Sequence, residues 1–300
     1  MSELKDQKST RALLAYENQR FLAGPDGRPL RILSEYAEPL ARFRRQNIQD
    51  TVVFFGSARF HSRVQAEAGL SAVERTLDLL ERPGSAALAS PEEQSRIKRA
   101  RVAVDMARYY EDARRLAFLL TQWARTIPSK RHRFVVTTGG GPGIMEAANL
   151  GAREAGGQTI GLNINLPYEQ MPNAFISPEL NFEFHYFFMR KLWFAYLAKA
   201  LVVFPGGFGT LDELFEILTL AQTEKLAKQI TVLIYGKQYW NRVLNLEALA
   251  EAGAISPQDV QLFHYVDSPE EGFEILRDAL TANHLNVAAK RTPEIAKTRP

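Results

Sequence analysis

Short apolar runs rich in Val, Ile and Phe recur along the chain at Thr51–Phe55, Phe134–Thr137, Thr159–Asn163, Leu201–Phe204, Ile230–Tyr235 and Leu262–Val266. Helix-length amphipathic stretches lie between them. A short run that is apolar throughout, without alternation, marks a strand covered on both faces, and its alternation with helices marks βαβ units. The pattern predicts an α/β fold, a doubly wound parallel sheet in three αβα layers. Between the first two strands the helical part is too long for an ordinary crossover. It runs over about Val64–Leu80 and Ser95–Arg125, split by the breakers Pro83–Gly84 and Ser90–Pro91, and is read as a helical insertion at about 64–125. Residues 1–48, with the turn Gly24-Pro25-Asp26-Gly27, are expected to form an N-terminal arm packed on the core. Residues 49–287 are read as one domain, and the polar, uncapped 288–300 as a disordered tail.

Composition narrows the function classes. With 300 residues, 46% of them hydrophobic and 24% charged, the chain can bury a large core, and no run is long and apolar enough to span a bilayer. Residues 1–20 are polar and charged, unlike a secretory signal or a transit peptide, so the expected location is the cytoplasm, with no membrane partner. The absence of cysteine excludes disulfides, thiolate nucleophiles, iron–sulfur clusters and cysteine-ligated zinc. His61, His132, His185, His264 and His284 are scattered, with no pair at one-turn spacing, so neither a metal centre nor a cofactor is expected. Net charge is only +3, and the basic stretch Arg96, Lys98, Arg99, Arg101, Arg108, Arg114 and Arg115 is interleaved with acids. A solvated helix face accounts for that stretch better than a nucleic-acid groove, and nucleic acid is disfavoured as a partner.

The chemistry is concentrated at two glycine-rich turns. Gly139-Gly140-Gly141-Pro142-Gly143 follows a strand and opens a helix near Ile144. Glycines let the backbone bend and come close to a ligand, and the free N–H groups and dipole of a helix start make an anion site. Pro205-Gly206-Gly207-Phe208-Gly209-Thr210 repeats the arrangement after Leu201–Phe204, ahead of a helix carrying Leu211, Leu214, Phe215 and Leu218. In a doubly wound sheet, loops at the carboxyl ends of neighbouring strands face one crevice, so both turns are expected to grip one ligand. Counting sets aside the commoner phosphate motifs. Gly-x-Gly-x-x-Gly fails at Ile144, Glu146 and Asp212, and Gly236-Lys237 is followed by Gln238.

Asp212, Glu213 and Glu216 flank the second turn. Thr210-x-x-Glu213 fits a capping box as well as a catalytic carboxylate, and the residues alone leave both open. The aromatic stretch Phe184–Phe194 reads as a helix entry that is mostly core or subunit interface. Within it, Arg190 and Lys191 are either a solvated pair or a phosphate clamp.

Together these residues resemble the Lonely Guy family, often labelled lysine decarboxylase-like, and its longer bacterial relatives, the nucleotide 5′-monophosphate nucleosidases. The family's Pro-Gly-Gly-x-Gly-Thr-x-x-Glu motif corresponds to Pro205–Glu213, its Arg-Lys element to Arg190-Lys191, and its triple glycine to Gly139–Gly141. Phe55-Gly56-Ser57-Ala58-Arg59 resembles its first strand-to-helix loop. The resemblance, over about residues 50–225, implies a Rossmann-like nucleotide-binding domain and hydrolysis of the N-glycosidic bond of a nucleoside 5′-monophosphate, of the AMP, GMP or CMP class, to free base and ribose 5-phosphate. It implies Glu213 and Arg190 as catalytic residues. As substrate contacts it implies Gly56, Ser57, Arg59, Gly139, Gly140, Gly141, Gly143, Glu169, Lys191, Gly206, Gly207, Phe208, Gly209, Thr210 and Asp212. Arg59, Asn163, Glu169 and the arm are the candidates for reading the base. It also implies a homodimer or higher homo-oligomer, with Phe187–Tyr196 available as interface. The alternative within the same fold is a non-catalytic protein that binds a nucleotide or the molybdenum cofactor. Decarboxylation of lysine would need pyridoxal phosphate on a Schiff-base lysine with an aspartate partner, and no such pair stands out.

Overall fold

The computed structural model describes residues 12–80, 90–166, 171–223, 225 and 229–286. The expected tail, the Pro83–Gly84 breaker and Glu169 lie outside the described residues. In chain order the elements are α1 (Gln19–Ala23), α2 (Arg28–Arg45), β1 (Thr51–Phe55), α3 (Arg63–Leu80), α4 (Pro91–Ala124), β2 (Val135–Thr138), α5 (Ile144–Glu154), β3 (Thr159–Ile164), β4 (Asn181–Phe184), α6 (Phe187–Leu197), β5 (Ala198–Val203), α7 (Phe208–Gln222), β6 (Thr231–Tyr235), α8 (Lys237–Val243), α9 (Leu246–Glu251), β7 (Phe263–Val266) and α10 (Pro269–Leu280).

All seven strands are parallel, in the order β4-β3-β2-β1-β5-β6-β7. Winding proceeds from β1 outward to β4, returns through α6, and proceeds outward again from β5 to β7. The switch point is therefore between β1 and β5, where such sheets leave a crevice beyond the strand ends. Alternate residues of β1 feed different cores, because successive side chains point to opposite faces. Val52 and Phe54 pack with Tyr109, Leu116 and Leu120 of α4, Ile144 of α5 and Leu276 of α10. Val53 and Phe55 pack with Phe43 of α2, Trp193 and Phe194 of α6, Leu214 of α7 and Trp240 of α8. Helices thus cover both faces, as the unbroken apolar runs require.

Six strands coincide with the predicted runs to within a few residues, while β4 was not foreseen. Asn181-Phe182-Glu183-Phe184 is an edge strand that alternates exposed and buried positions, so it lacks the continuous apolar character that marked the others. The long helix between β1 and β2 starts at Pro91 behind a capping box formed by Ser90 and Glu93. Only the second half of α4 reaches the sheet, and α3 packs on α4.

Where β1 and β2 begin, the buried Asp50 carboxylate accepts the Phe134 N–H at 2.6 Å and the Arg133 Nε–H at 2.7 Å. This holds Phe134 at a φ of 53°, in the left-handed region that costs an aromatic residue about 1–2 kcal/mol. The Phe134 ring stacks on Trp123 of α4 with centroids 5.5 Å apart, tying the long helix to the sheet. Burial pushes the Asp50 carboxyl up from its usual range, against the pull of Arg133. Asp50→Ala takes the carboxylate from the largely buried Arg133, which keeps its bond to the His284 carbonyl, and leaves the Phe134 N–H without its acceptor, so unfolding in urea should show a loss of about 3 kcal/mol or more. A loss below about 1 kcal/mol would contradict this account.

Candidate active site

Three loops meet beyond the carboxyl end of β1. The two glycine turns do not follow adjacent strands, because β1 stands between β2 and β5, and its own loop, Gly56–Arg59, joins them. Ser57 is the seam. Its N–H donates to the Pro205 carbonyl at 3.0 Å, and its carbonyl accepts the Ile144 N–H at 3.1 Å. Gly143, at φ +70°, lies so close to this loop that an added Cβ would sit 2.4 Å from the Ser57 carbonyl oxygen. Any side chain there would push the first turn off the second.

The first turn is held from behind by amides that the sequence did not single out. The buried Asn149, on α5, accepts the Thr138 hydroxyl at 2.8 Å and donates to the Thr159 hydroxyl at 3.0 Å. Asn173 donates to the Gly140 and Gly141 carbonyls at 3.0 and 3.1 Å and to Asn149 at 2.9 Å. The Gly140 and Gly141 carbonyl oxygens, which would repel an anion, are thereby taken up. A fully buried Asn on the apolar face of α5 was the available signal for Asn149. Asn173 sits in irregular backbone and left none. Asn163 donates to the Phe182 carbonyl at 2.9 Å and packs against Gly140.

The second turn differs from the capping reading. α7 begins at Phe208 with Gly207 in the cap position and no side-chain cap, so Thr210 and Glu213 are interior helix residues and form no capping box. Three residues apart, they share one inward face and are both buried. The start of α7 still offers its first N–H groups and the positive end of its dipole. An added Cβ would meet nothing within 4 Å at Gly207 or Gly209, and Phe208 between them is 93% exposed. The chain's own packing therefore does not demand glycine there, whereas close approach of a ligand would.

α6 brings two cations over α7. Arg190 is 16% exposed, lies over the rings of Phe187 and Phe194, and places Nη2 3.7 Å from Glu213 Oε1. That separation is an ionic contact and not a hydrogen bond. Among the described residues, Arg190 Nε and Glu213 Oε1 are buried without a hydrogen-bond partner, and a polar ligand can satisfy such groups. Lys191 is engaged by carboxylates instead of standing free as a phosphate ligand: its Nζ is 2.7 Å from Asp212, 2.7 Å from Glu216 and 4.0 Å from Glu213. Burial pushes the Glu213 carboxyl up to about 7, against Lys191 and Arg190 and with help from Glu216 and Asp212. Burial pulls the Lys191 ammonium down, but its bonds to Asp212 and Glu216 leave it above its usual range. Burial also draws the Arg190 guanidinium below its usual range.

Gly56, Ser57, Arg59, Gly139–Gly141, Gly143, Arg190, Lys191, Gly206–Thr210, Asp212 and Glu213 all lie on the loops and helix ends at this edge of the sheet. Arg59 is exposed, and Asp212 is 58% exposed at the mouth.

A protein family described as possible lysine decarboxylase matches residues 145–276, which takes in the second turn and leaves out the arm, the long helices and the first turn. Among curated proteins, the chain is similar to the cytokinin riboside 5′-monophosphate phosphoribohydrolase LOG1 of Arabidopsis thaliana, 33% identical over 107 residues covering 35% of this chain and 49% of that protein. It is also similar to the probable cytokinin riboside 5′-monophosphate phosphoribohydrolase LOGL6 of Oryza sativa subsp. japonica, 26% identical over 168 residues covering 54% of this chain and 64% of that protein. The chain therefore spans about half the length of LOG1 and under two thirds of LOGL6. Among solved structures it is similar to the molybdenum cofactor binding protein from the phototrophic bacterium Rippkaea orientalis, 21% identical with a TM-score of 0.40, covering 58% of this chain and 88% of that one. No described helix is long and apolar enough to cross a membrane.

The open space at Gly209 separates fold from binding. Gly209→Ala should leave thermal stability unchanged or raise it by up to about 1 kcal/mol through helix propensity, while weakening AMP binding at least tenfold by calorimetric titration. Unweakened binding would exclude this turn as the ligand's cradle. Glu213 has a folded-state value raised from 4.5 to about 7, so its stabilising share is complete below pH 4.5 and is lost as pH rises through about 7. Glu213→Gln should accordingly flatten the decline in stability between those limits. The same decline in both proteins would contradict the raised value.

Proposed function

We propose, from the premise that this chain belongs to the Lonely Guy, or lysine decarboxylase-like, family, that it hydrolyses the N-glycosidic bond of nucleoside 5′-monophosphates to free base and ribose 5-phosphate. The observation that carries this reading is the buried Glu213 carboxyl, pushed up to about 7, 3.7 Å from the half-buried Arg190 and in the first turns of a helix entered through a glycine turn.

In this reaction the bond from C1′ to the base nitrogen breaks and positive charge spreads over C1′ and the ring oxygen. The oxygen of water ends on C1′, and its proton goes with the departing base. A carboxylate beside C1′ steadies the cation, takes the proton of water in its ionised form and gives that proton up to the departing base. Glu213 fills that role, its carboxyl pushed by burial up to about 7. Arg190, whose Nε has no hydrogen-bond partner among the described residues, holds a phosphate or sugar oxygen by a charge-assisted bond. The N–H groups of the glycine turns cradle the phosphate. Lys191 bridges Asp212 and Glu216, which keeps α7 seated against α6, and in this reading the exposed Asp212 bonds the ribose hydroxyls.

The decisive assay incubates the protein with AMP, GMP and CMP and measures free base. Release from at least one nucleotide is expected, with Glu213→Gln slowing turnover about a thousandfold while nucleotide binding persists. No release across the panel would overturn the reading, and tight binding without release would mark a carrier.

A second copy of the chain is the partner we assign to the exposed apolar side chains of α6, with Phe187 and Phe188 each 52% and Leu192 39% exposed. Light scattering should give a dimer mass for the native chain and a monomer mass for Phe188→Asp. A native monomer would refute this assignment.

A further inference from the structure

α6 carries Arg190 and Lys191, yet its own cap residue, Tyr186, makes no side-chain cap. The cap comes from the N-terminal arm, outside the matched family region. Glu35 of α2 accepts the His185 N–H on Oε1 at 2.8 Å and the Tyr186 N–H on Oε2 at 3.2 Å. A carboxylate in that position satisfies donors that the helix leaves unpaired and meets the positive end of its dipole. The grip continues along the helix. The Trp193 indole N–H donates to the Glu35 carbonyl at 2.9 Å, Tyr36 stacks on Trp193 at 5.7 Å, and Arg28 lies over the Tyr186 ring at 5.7 Å.

The Arg190 N–H donates to the Tyr186 carbonyl at 3.2 Å, so the residue that Glu35 grips is the one from which Arg190 hangs. Among the described residues, the Arg190 guanidinium lies over two aromatic faces and makes the 3.7 Å ionic contact to Glu213. Its place relative to Glu213 therefore follows from where α6 begins.

We infer that Glu35 is a positioning residue for the reaction: by clamping the first turn of α6 it fixes Arg190 against Glu213. The inference rests on the proposed roles of Arg190 and Glu213. The charged groups facing Glu213 are Arg190 and Lys191 from α6 and Asp212 and Glu216 from α7. A looser α6 withdraws the two cations and leaves the two anions in place.

The test follows the ionisation of Glu213 by NMR in the full chain carrying 13C-labelled glutamate carboxyls, with Glu213→Gln identifying the signal. Glu35→Ala should raise the Glu213 midpoint by about half a pH unit or more and lower kcat/KM for AMP at pH 7 about tenfold. Glu35→Gln, which keeps the volume and one acceptor, should fall between, and it carries the test if the alanine variant does not fold. Glu38→Ala, on the same helix and paired with Arg42, should move neither quantity. An unmoved midpoint in folded Glu35 variants would overturn the inference, as would an activity loss of equal proportion at every pH. Because the titration needs no turnover, an inert wild-type protein would refute the proposed reaction and leave this inference separately decided.

Discussion

A carboxylate sunk among apolar side chains favours its neutral form, and the start of α7 is arranged around that constraint. Glu213 is 5% exposed, and its charge is offset by two cations that it does not hydrogen-bond, Arg190 at 3.7 Å and Lys191 at 4.0 Å. Had either closed to bonding distance, the carboxylate would be held firmly ionised and spent on an internal pair. Lys191 is instead drawn off by Asp212 and Glu216, and Arg190 is braced by aromatic faces. The outcome is a group balanced between its two forms near neutral pH, the condition under which a side chain both accepts and returns a proton efficiently.

The sheet makes this arrangement possible. Because β1 lies between β2 and β5, a single loop residue, Ser57, can bond both glycine turns through its own backbone. The Asn149 and Asn173 amides fix the first turn from behind, and α2 fixes α6 from outside the sheet. Positions far apart in sequence, Ser57 with Pro205 and Glu35 with His185, therefore converge on one cleft, each through a bond to a backbone group.

Much of this was legible in the chain. Runs covered on both faces are continuous in sequence, so β1 to β3, β5 and β6 could be read directly, and the edge strand β7 through its largely apolar Leu262–Val266 run. The edge strand β4 could not, since half of its side chains face away from the core. The glycine turns announced themselves because Gly143 meets a steric demand that the sequence expresses by omission of a side chain. Thr210 and Glu213 carry a capping signature that leaves two readings open in sequence; Gly207 is the residue where the chain turns, and helix formation from Phe208 carries both inward. That Lys191 meets two carboxylates, Asp212 and Glu216, is visible only in the fold. Glu35 and Asn173 act across long sequence separations, and no local pattern encodes such partners.

The central claim is that the ionised form of buried Glu213 works on the substrate, and the pH dependence of kcat/KM for a nucleoside monophosphate tests it most directly, because that ratio reports ionisation of the free protein. The account predicts a rate that rises with pH and levels off above about 7, following the raised value of Glu213. A profile that is flat across neutral pH, or that has already levelled near the ordinary carboxylate value of 4.5, would contradict it.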